Sequence, residues 1–316
     1  MLNREHGEMN VSGSYQEQQS WYRDAFIKNL TVVLLGIVIN YLNGSMVHTF
    51  HREEVLRENP RYVLFIHLVV NDMIQLFITI SLFICTYVFL TINVSVCCLL
   101  MIAAVFTTQN TPLNLATMAV ECYVAVCLPL RYATVCTLWR AHLAIGLMWA
   151  TSALTVLPDL FILLATEPLS FFLSRVLCDR DRVFRSIYSV AKRDATNITL
   201  LVIVWLTLLY TYFNILFAAR SASKDAKKAH NTVLLHGFQV LLCMMVYVQP
   251  MMLKGFMQLF PGSFSGVQFT AFVLTQILPR FVNPLLYGLR DKTFRRYLKK
   301  YILGRSRPCG RMKSFS

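Results

Sequence analysis

Of the 316 residues, 56% are hydrophobic and only 15% charged; the apolar residues fall in blocks about as long as a bilayer is thick, which excludes an ordinary soluble domain. The formal charge of +14 is spread over the flanks of those blocks, so it argues for attraction to an anionic membrane lipid leaflet and against a nucleic-acid partner. Gly-rich phosphate loops, His-Glu-x-x-His and Gly-x-Ser-x-Gly are absent and the histidines lie on different segments, so the sequence offers no catalytic set, no metal site and no cofactor.

Residues 1–25 are polar and lack the basic flank and short apolar region of a cleavable signal peptide. They are expected to form an extracellular tail. Residues 26–288 carry seven apolar windows, near 26–49, 62–90, 96–120, 141–165, 195–218, 232–253 and 267–287. In hydrocarbon each must satisfy its own backbone, so each is expected to be a helix. Neither an internal repeat nor an inverted pair of broken segments is visible. The expected fold is an all-α membrane protein, a seven-transmembrane-helix bundle. Residues 289–316 place Leu289, Phe294, Tyr297, Leu298 and Tyr301 at mostly helical spacing among basic residues, which reads as a short amphipathic helix on the inner leaflet, followed by a basic tail.

Most of the 30 lysines and arginines flank the windows on one side: Arg52, Arg57 and Arg61, then Arg131 and Arg140, then Arg220, Lys224, Lys227 and Lys228, then the run from Arg290 onward. The positive-inside rule puts these in the cytoplasm and the N-terminus outside, as for a multi-pass plasma-membrane protein. The basic loop before the fifth window runs against this, although longer loops obey the rule less strictly. Of nine cysteines, only Cys97, Cys98 and Cys178 then lie on or near the outer side, so one outer disulfide is expected. Among the Asn-x-Ser/Thr sequons, Asn10 sits in the polar tail and is the expected glycosylation site, whereas Asn29, Asn43, Asn93 and Asn197 lie in or close to the bilayer.

Polar residues inside the windows are costly and call for partners. Asn40, Asp72, Thr111, Arg280 and Asn283 form this set; Arg280, one turn before Asn283, is expected to pair with Asp72. Pro284 leaves a carbonyl free and gives the last helix a place to bend. At the inner end of the third window Glu121 marks the exit to water, and Pro129 marks where that helix cannot continue.

The stretch from Met118 to Tyr132, with Met118, Ala119, Tyr123, Val124, Ala125, Cys127, Pro129, Leu130 and Tyr132 in place, resembles the third-helix motif of vertebrate odorant receptors, a branch of the rhodopsin-like G-protein-coupled receptors. Asn283-Pro284-Leu285-Leu286-Tyr287 matches the seventh-helix Asn-Pro-x-x-Tyr of the same receptors. Tyr212 and Lys227-Lys228-Ala229-His230-Asn231-Thr232 resemble their fifth- and sixth-helix motifs, while Cys243-Met244-Met245 stands where Phe-Tyr-Gly is usual. Leu128-Pro129-Leu130-Arg131-Tyr132, Thr166-Glu167-Pro168-Leu169-Ser170-Phe171-Phe172 and Leu278-Pro279-Arg280-Phe281 look most like the fish type called odorant receptor 131-2-like. The resemblance runs over residues 26–301.

The resemblance implies a receptor for a small-molecule odorant that activates a heterotrimeric G protein, of the stimulatory olfactory type acting through cyclic AMP. It places the ligand between the third, fifth, sixth and seventh helices, against Ala104, Val105, Thr108, Gln109, Thr196, Met244, Tyr247, Met251 and Gln276. It selects Cys97 over Cys98 as the partner of Cys178, by its spacing to Cys122. Coupling and switching fall to Glu121, Cys122, Tyr123, Leu130, Tyr212, Asn283, Pro284 and Tyr287, and Asn40, Asp72, Thr111 and Arg280 match a cluster that often holds sodium, here with Arg280 in its stead. Cys122 departs from the pattern, since an arginine is usual there. A cysteine can neither pair with Glu121 nor offer a forked donor. Glu121 is therefore expected to use Arg131, Arg140, water or a proton, with the G-protein contact resting more on Leu130, Lys224, Lys227 and Lys228. The reading from another class is a transporter or channel with Asp72, Asp159 and Arg280 along its path.

Overall fold

The structure is a computed structural model that describes residues 2–89, 91–220 and 264–302 and individual positions between 234 and 258. The long helices are α1 (Leu2–Arg52), α2 (Pro60–Ile84), α3 (Val94–Cys127), α4 (Leu138–Thr166) and α5 (Ile187–Arg220). They are followed by α6 (Phe264–Phe272), a wide π turn at Val273–Ile277, α7 (Leu278–Arg290) and α8 (Lys292–Ile302). Among the described residues five helices, Tyr22–Arg52 within α1, α2, α3, α4 and Ile187–Ala218 within α5, are long and apolar enough to cross a membrane. The seventh window is built from α6, the π turn and α7; most of the sixth lies outside the described residues.

Local chemistry sets the helix ends. Asn59 caps α2 by accepting from the Arg61 amide at 3.0 Å, with Pro60 in the first turn, where a missing N–H costs nothing. Asn93 caps α3 through the Ser95 amide, and Thr137 caps α4 through the Arg140 amide. Two ends differ from expectation. No proline precedes Pro60, and α1 extends back through the polar tail to Leu2. The fifth helix begins at Ile187, ahead of the expected 195, which draws Lys192 into the bundle.

The third helix is central, packing against α2, α4 and α5. Its contacts divide into an outer and an inner layer. Val94, Cys97, Leu163, Phe171, Val183 and Phe184 pack the outer layer. Cys97 is bonded to Cys178 with Cα atoms 5.6 Å apart, next to a short antiparallel ribbon pairing Ile92 with Val176 and Asn93 with Arg175. The inner layer holds Leu56, Phe65, Leu68, Leu115, Met118 and Ala119. At Gly36 of α1 an added Cβ would meet only the far end of the Ile80 side chain on α2, which would have to swing aside. Large apolar residues such as Ile37, Phe77, Leu154, Phe161 and Leu206 point outward, as suits a surface bathed in hydrocarbon.

Docking of α8 onto the inner layer is direct. Phe294 is fully buried and packs edge-on against Phe65, centroids 5.3 Å apart. The Asp291 carboxylate accepts from the Phe294 amide and from the Tyr62 hydroxyl at 3.0 Å, and Lys300 reaches Glu53 at 3.1 Å. Lys292, Arg295, Arg296 and Lys299 remain exposed on the other face. Phe294→Ala is expected to cost about 3 kcal/mol, the lower end for emptying a buried phenylalanine site. Thermal unfolding of detergent-purified protein checks it; an unchanged midpoint would show that Phe294 is not what seats α8.

Candidate functional site

Polar side chains line the middle of α3: Thr107, Thr108, Thr111 and Asn114 meet α2, and Gln109 and Asn110 meet α4. In the outer half, Gln75 on α2 donates to the Thr108 hydroxyl at 2.7 Å. Gln109 turns toward α4, where its amide oxygen accepts from Thr155 at 2.6 Å. Lys192 on α5 donates to Asp159 at 2.6 Å and to the Thr155 carbonyl at 2.9 Å. A continuous polar chain thus joins α3, α4 and α5. Ala104, Val105, Thr196 and Gln276 are half-buried. The side-chain oxygens of Gln75 and Gln276 make no hydrogen bond among the described residues. Met244 is buried, with its sulfur against the Trp205 indole N–H at 2.6 Å. Tyr247 and Met251 lie outside the described residues, as do Lys224, Lys227 and Lys228 and the side chains of Asn10 and Tyr287.

Deeper in the bundle, Asn283 donates to Asp72 at 2.9 Å, and the Arg280 guanidinium and Thr111 act on the same carboxylate. Arg280 also donates to the Thr275 carbonyl at 2.8 Å, inside the π turn. Asn71 bridges to the Thr107 carbonyl and the Thr111 hydroxyl of α3. His67 joins α3 to α4, contacting Asn114 at 2.7 Å and accepting from Trp149 at 2.9 Å. On α1 Asn43 and Thr49 are fully buried, whereas Asn40 is half-buried. In the sequence Asn43 stands out only through its sequon, Asn43-Gly44-Ser45. From the sequence alone Gln75, Asn114 and Lys192 do not stand out and His67 counts only as a catalytic or metal candidate, although Asn71 and Gln75 on α2 and Thr107, Thr111 and Asn114 on α3 recur at intervals of three or four that mark one helix face.

At the inner end of α3, Glu121 is buried. Its two oxygens meet the Tyr132 hydroxyl at 2.8 Å and Arg61 Nε at 3.8 Å. The expectation of Arg131 or Arg140 is corrected here. Pro129–Arg131 forms a tight 3-10 turn, followed by a one-turn helix at Tyr132–Val135, which carries Tyr132 back over Glu121 and leaves Arg131 exposed. Arg140 instead donates to the Thr134 and Val135 carbonyls. Burial, reinforced by the Glu121 charge, pushes the Tyr132 hydroxyl well above the usual phenol range, so it stays a donor. Cys122 is buried against Ile215, with Tyr123 and Tyr212 alongside, and Tyr123 lies 5.8 Å from the Tyr210 ring. Leu130, at the tip of the turn, is 96% exposed. Pro284 is buried within α7. Among the described residues no cluster of three or more His, Cys, Asp or Glu could hold a metal.

Residues 42–287 match the family model described as 7 transmembrane receptor (rhodopsin family). The chain is 34% identical over 295 residues to Odorant receptor 131-2 of Danio rerio, covering 87% of this chain and 85% of that relative. It is 25% identical over 234 residues to Olfactory receptor 10P1 of Homo sapiens, 70% of this chain and 67% of the relative. For Olfactory receptor 8U8 of Homo sapiens the figures are 29% over 210 residues, 61% and 62%. A helical membrane bundle, a third helix ending in this inner turn and matches of that extent together mean that the chain belongs to the rhodopsin-like family of seven-transmembrane receptors, among its odorant receptors, and is a receptor and not an enzyme.

Proposed function

We propose that this receptor binds a small-molecule odorant between the outer halves of its helices and activates a heterotrimeric G protein, of the stimulatory type that raises cyclic AMP. The N-terminus lies outside and the C-terminus in the cytoplasm. The 1–25 segment is extracellular, 26–288 is the receptor domain and 289–316 is cytoplasmic. The observation that carries the reading is the inner turn after α3, where a buried acid is held by Tyr132 while Leu130 stands fully out. An exposed apolar side chain at a charged membrane exit is the kind of anchor that a protein partner's pocket covers. In the outer half, the side-chain oxygens of Gln75 and Gln276, which have no hydrogen-bond partner among the described residues, together with the half-buried Ala104, Val105 and Thr108, support a site for a largely apolar ligand with one or two hydrogen-bond donors. Binding outside and coupling inside are then linked by a population shift between helix arrangements.

The test is a ligand panel on the full-length receptor, read as cyclic AMP and as nucleotide exchange on purified G protein. Thr108→Val should weaken agonists by about tenfold, the effect of roughly one lost hydrogen bond, while leaving surface delivery intact. Ligand flux across receptor-containing vesicles without nucleotide exchange would instead select the transporter reading. Nothing in the geometry favours that reading, since Asp159 is taken up by Lys192 and Asp72 by Asn283.

A further inference from the structure

We infer that Arg61, at the foot of α2, is the positioning residue that holds Glu121 at rest, a charge supplied from a neighbouring helix because Cys122 cannot supply it from the same one. The inference rests on the receptor reading. A buried carboxylate needs a cation or donors close by, and the inner end of α3 gives it both from outside α3. Tyr132 provides the direct hydrogen bond at 2.8 Å. Arg61, at 3.8 Å, is within ion-pair range but beyond a direct hydrogen bond. The two oxygens of Glu121 are thereby addressed from two sides, by α2 and by the turn that follows α3.

Arg61 sits on a fixed support. Its amide is held by the Asn59 side chain, and its neighbour Tyr62 is held by Asp291 at the start of α8. Cys122, meanwhile, lies in a dry contact with the fully buried Ile215 of α5, so that position is spent on packing. The location of the charge changes what the contact restrains. An arginine adjacent to its acid on one helix travels with that helix, and their separation survives a shift of the helix as a body. An arginine on α2 does not travel with α3, so any outward or rotational displacement of the inner end of α3 must pull the charges apart. The contact is a tie between two helices.

The experiment uses the full chain in cells and purified in detergent. Arg61→Gln and Glu121→Gln should each raise ligand-free nucleotide exchange, per receptor at the surface, about two- to fivefold, the range for a partly exposed ion pair. Each should also speed amide hydrogen exchange over residues 118–136. The charge swap R61E with E121R should return both readouts toward the unmodified protein, Arg61→Lys should keep most of the restraint, and Arg131→Gln, at the exposed neighbour, should change neither. Single variants with unaltered amide exchange, or a swap that adds its two defects, would overturn the assignment. If no variant and not even the unmodified chain drives nucleotide exchange, the coupling reading fails, and amide exchange alone decides the role of Arg61.

Discussion

Replacing Arg280 with leucine is expected to cost about 3–5 kcal/mol, the usual penalty for stranding one member of a buried charged pair. Asp72 is fully buried and Arg280 nearly so. Asn283 satisfies one oxygen of Asp72, the other makes no hydrogen bond among the described residues, and the Arg280 charge acts on the carboxylate alongside Thr111. Arg280→Leu also removes the donor that fills the Thr275 carbonyl. Asp72→Asn alone should lose a similar amount, and the double variant should recover part of the loss because both charges then leave together. Thermal unfolding in detergent and surface delivery in cells measure this. Strictly additive losses would mean that the two residues do not act on each other, and sodium-dependent signalling by the unmodified receptor would mean that an ion does the work assigned to Arg280.

The second large effect is expected at Lys192. Its ammonium sits 2.6 Å from Asp159, whose side chain is 5% exposed, and Lys192→Met would leave that acid without its cation between α4 and α5. A loss of about 3 kcal/mol is expected, the lower end of the same range, because Lys192 itself keeps some contact with solvent. Lys192→Met with Asp159→Leu should be at least as stable as Lys192→Met alone, since apolar replacement of a buried pair is often neutral. The thermal midpoint again decides. A double variant less stable than both singles would show that Thr155, which also accepts from Lys192, carries the helix contact.

These two pairs also show what the chain of residues reveals and what it hides. Seven spans were readable because hydrocarbon tolerates few alternatives to long apolar helices. Asp72 and Arg280 stood out because each interrupts an apolar window. Lys192 did not, because it lies in a stretch of mixed charge that reads as loop until the helix is known to start at Ile187. The partner of Glu121 was equally hidden. Arg131 is nearer in sequence than Arg61, and only the tight turn at Pro129–Arg131, which sends Tyr132 inward and Arg131 outward, decides between them. The sequence shows Asn43 only through its sequon, and burial, not spacing, marks it as a bundle residue.

The wide turn at Val273–Ile277 alters how the seventh span has to be counted. A residue advances an α-helix by about 100°, so one additional residue in a single turn shifts the phase of everything beyond it by that angle. Side chains five apart, not four, then fall in line across the turn. Phe272 and Ile277 share one apolar cluster, and Arg280 reaches back to the carbonyl of Thr275. A scan of substitutions along this span should therefore show a pattern of three and four on either side of the turn and a single step of five through it. Positions that look lipid-facing on an unbroken helical wheel, when counted from Phe264, will rotate into the bundle once they pass Ile277.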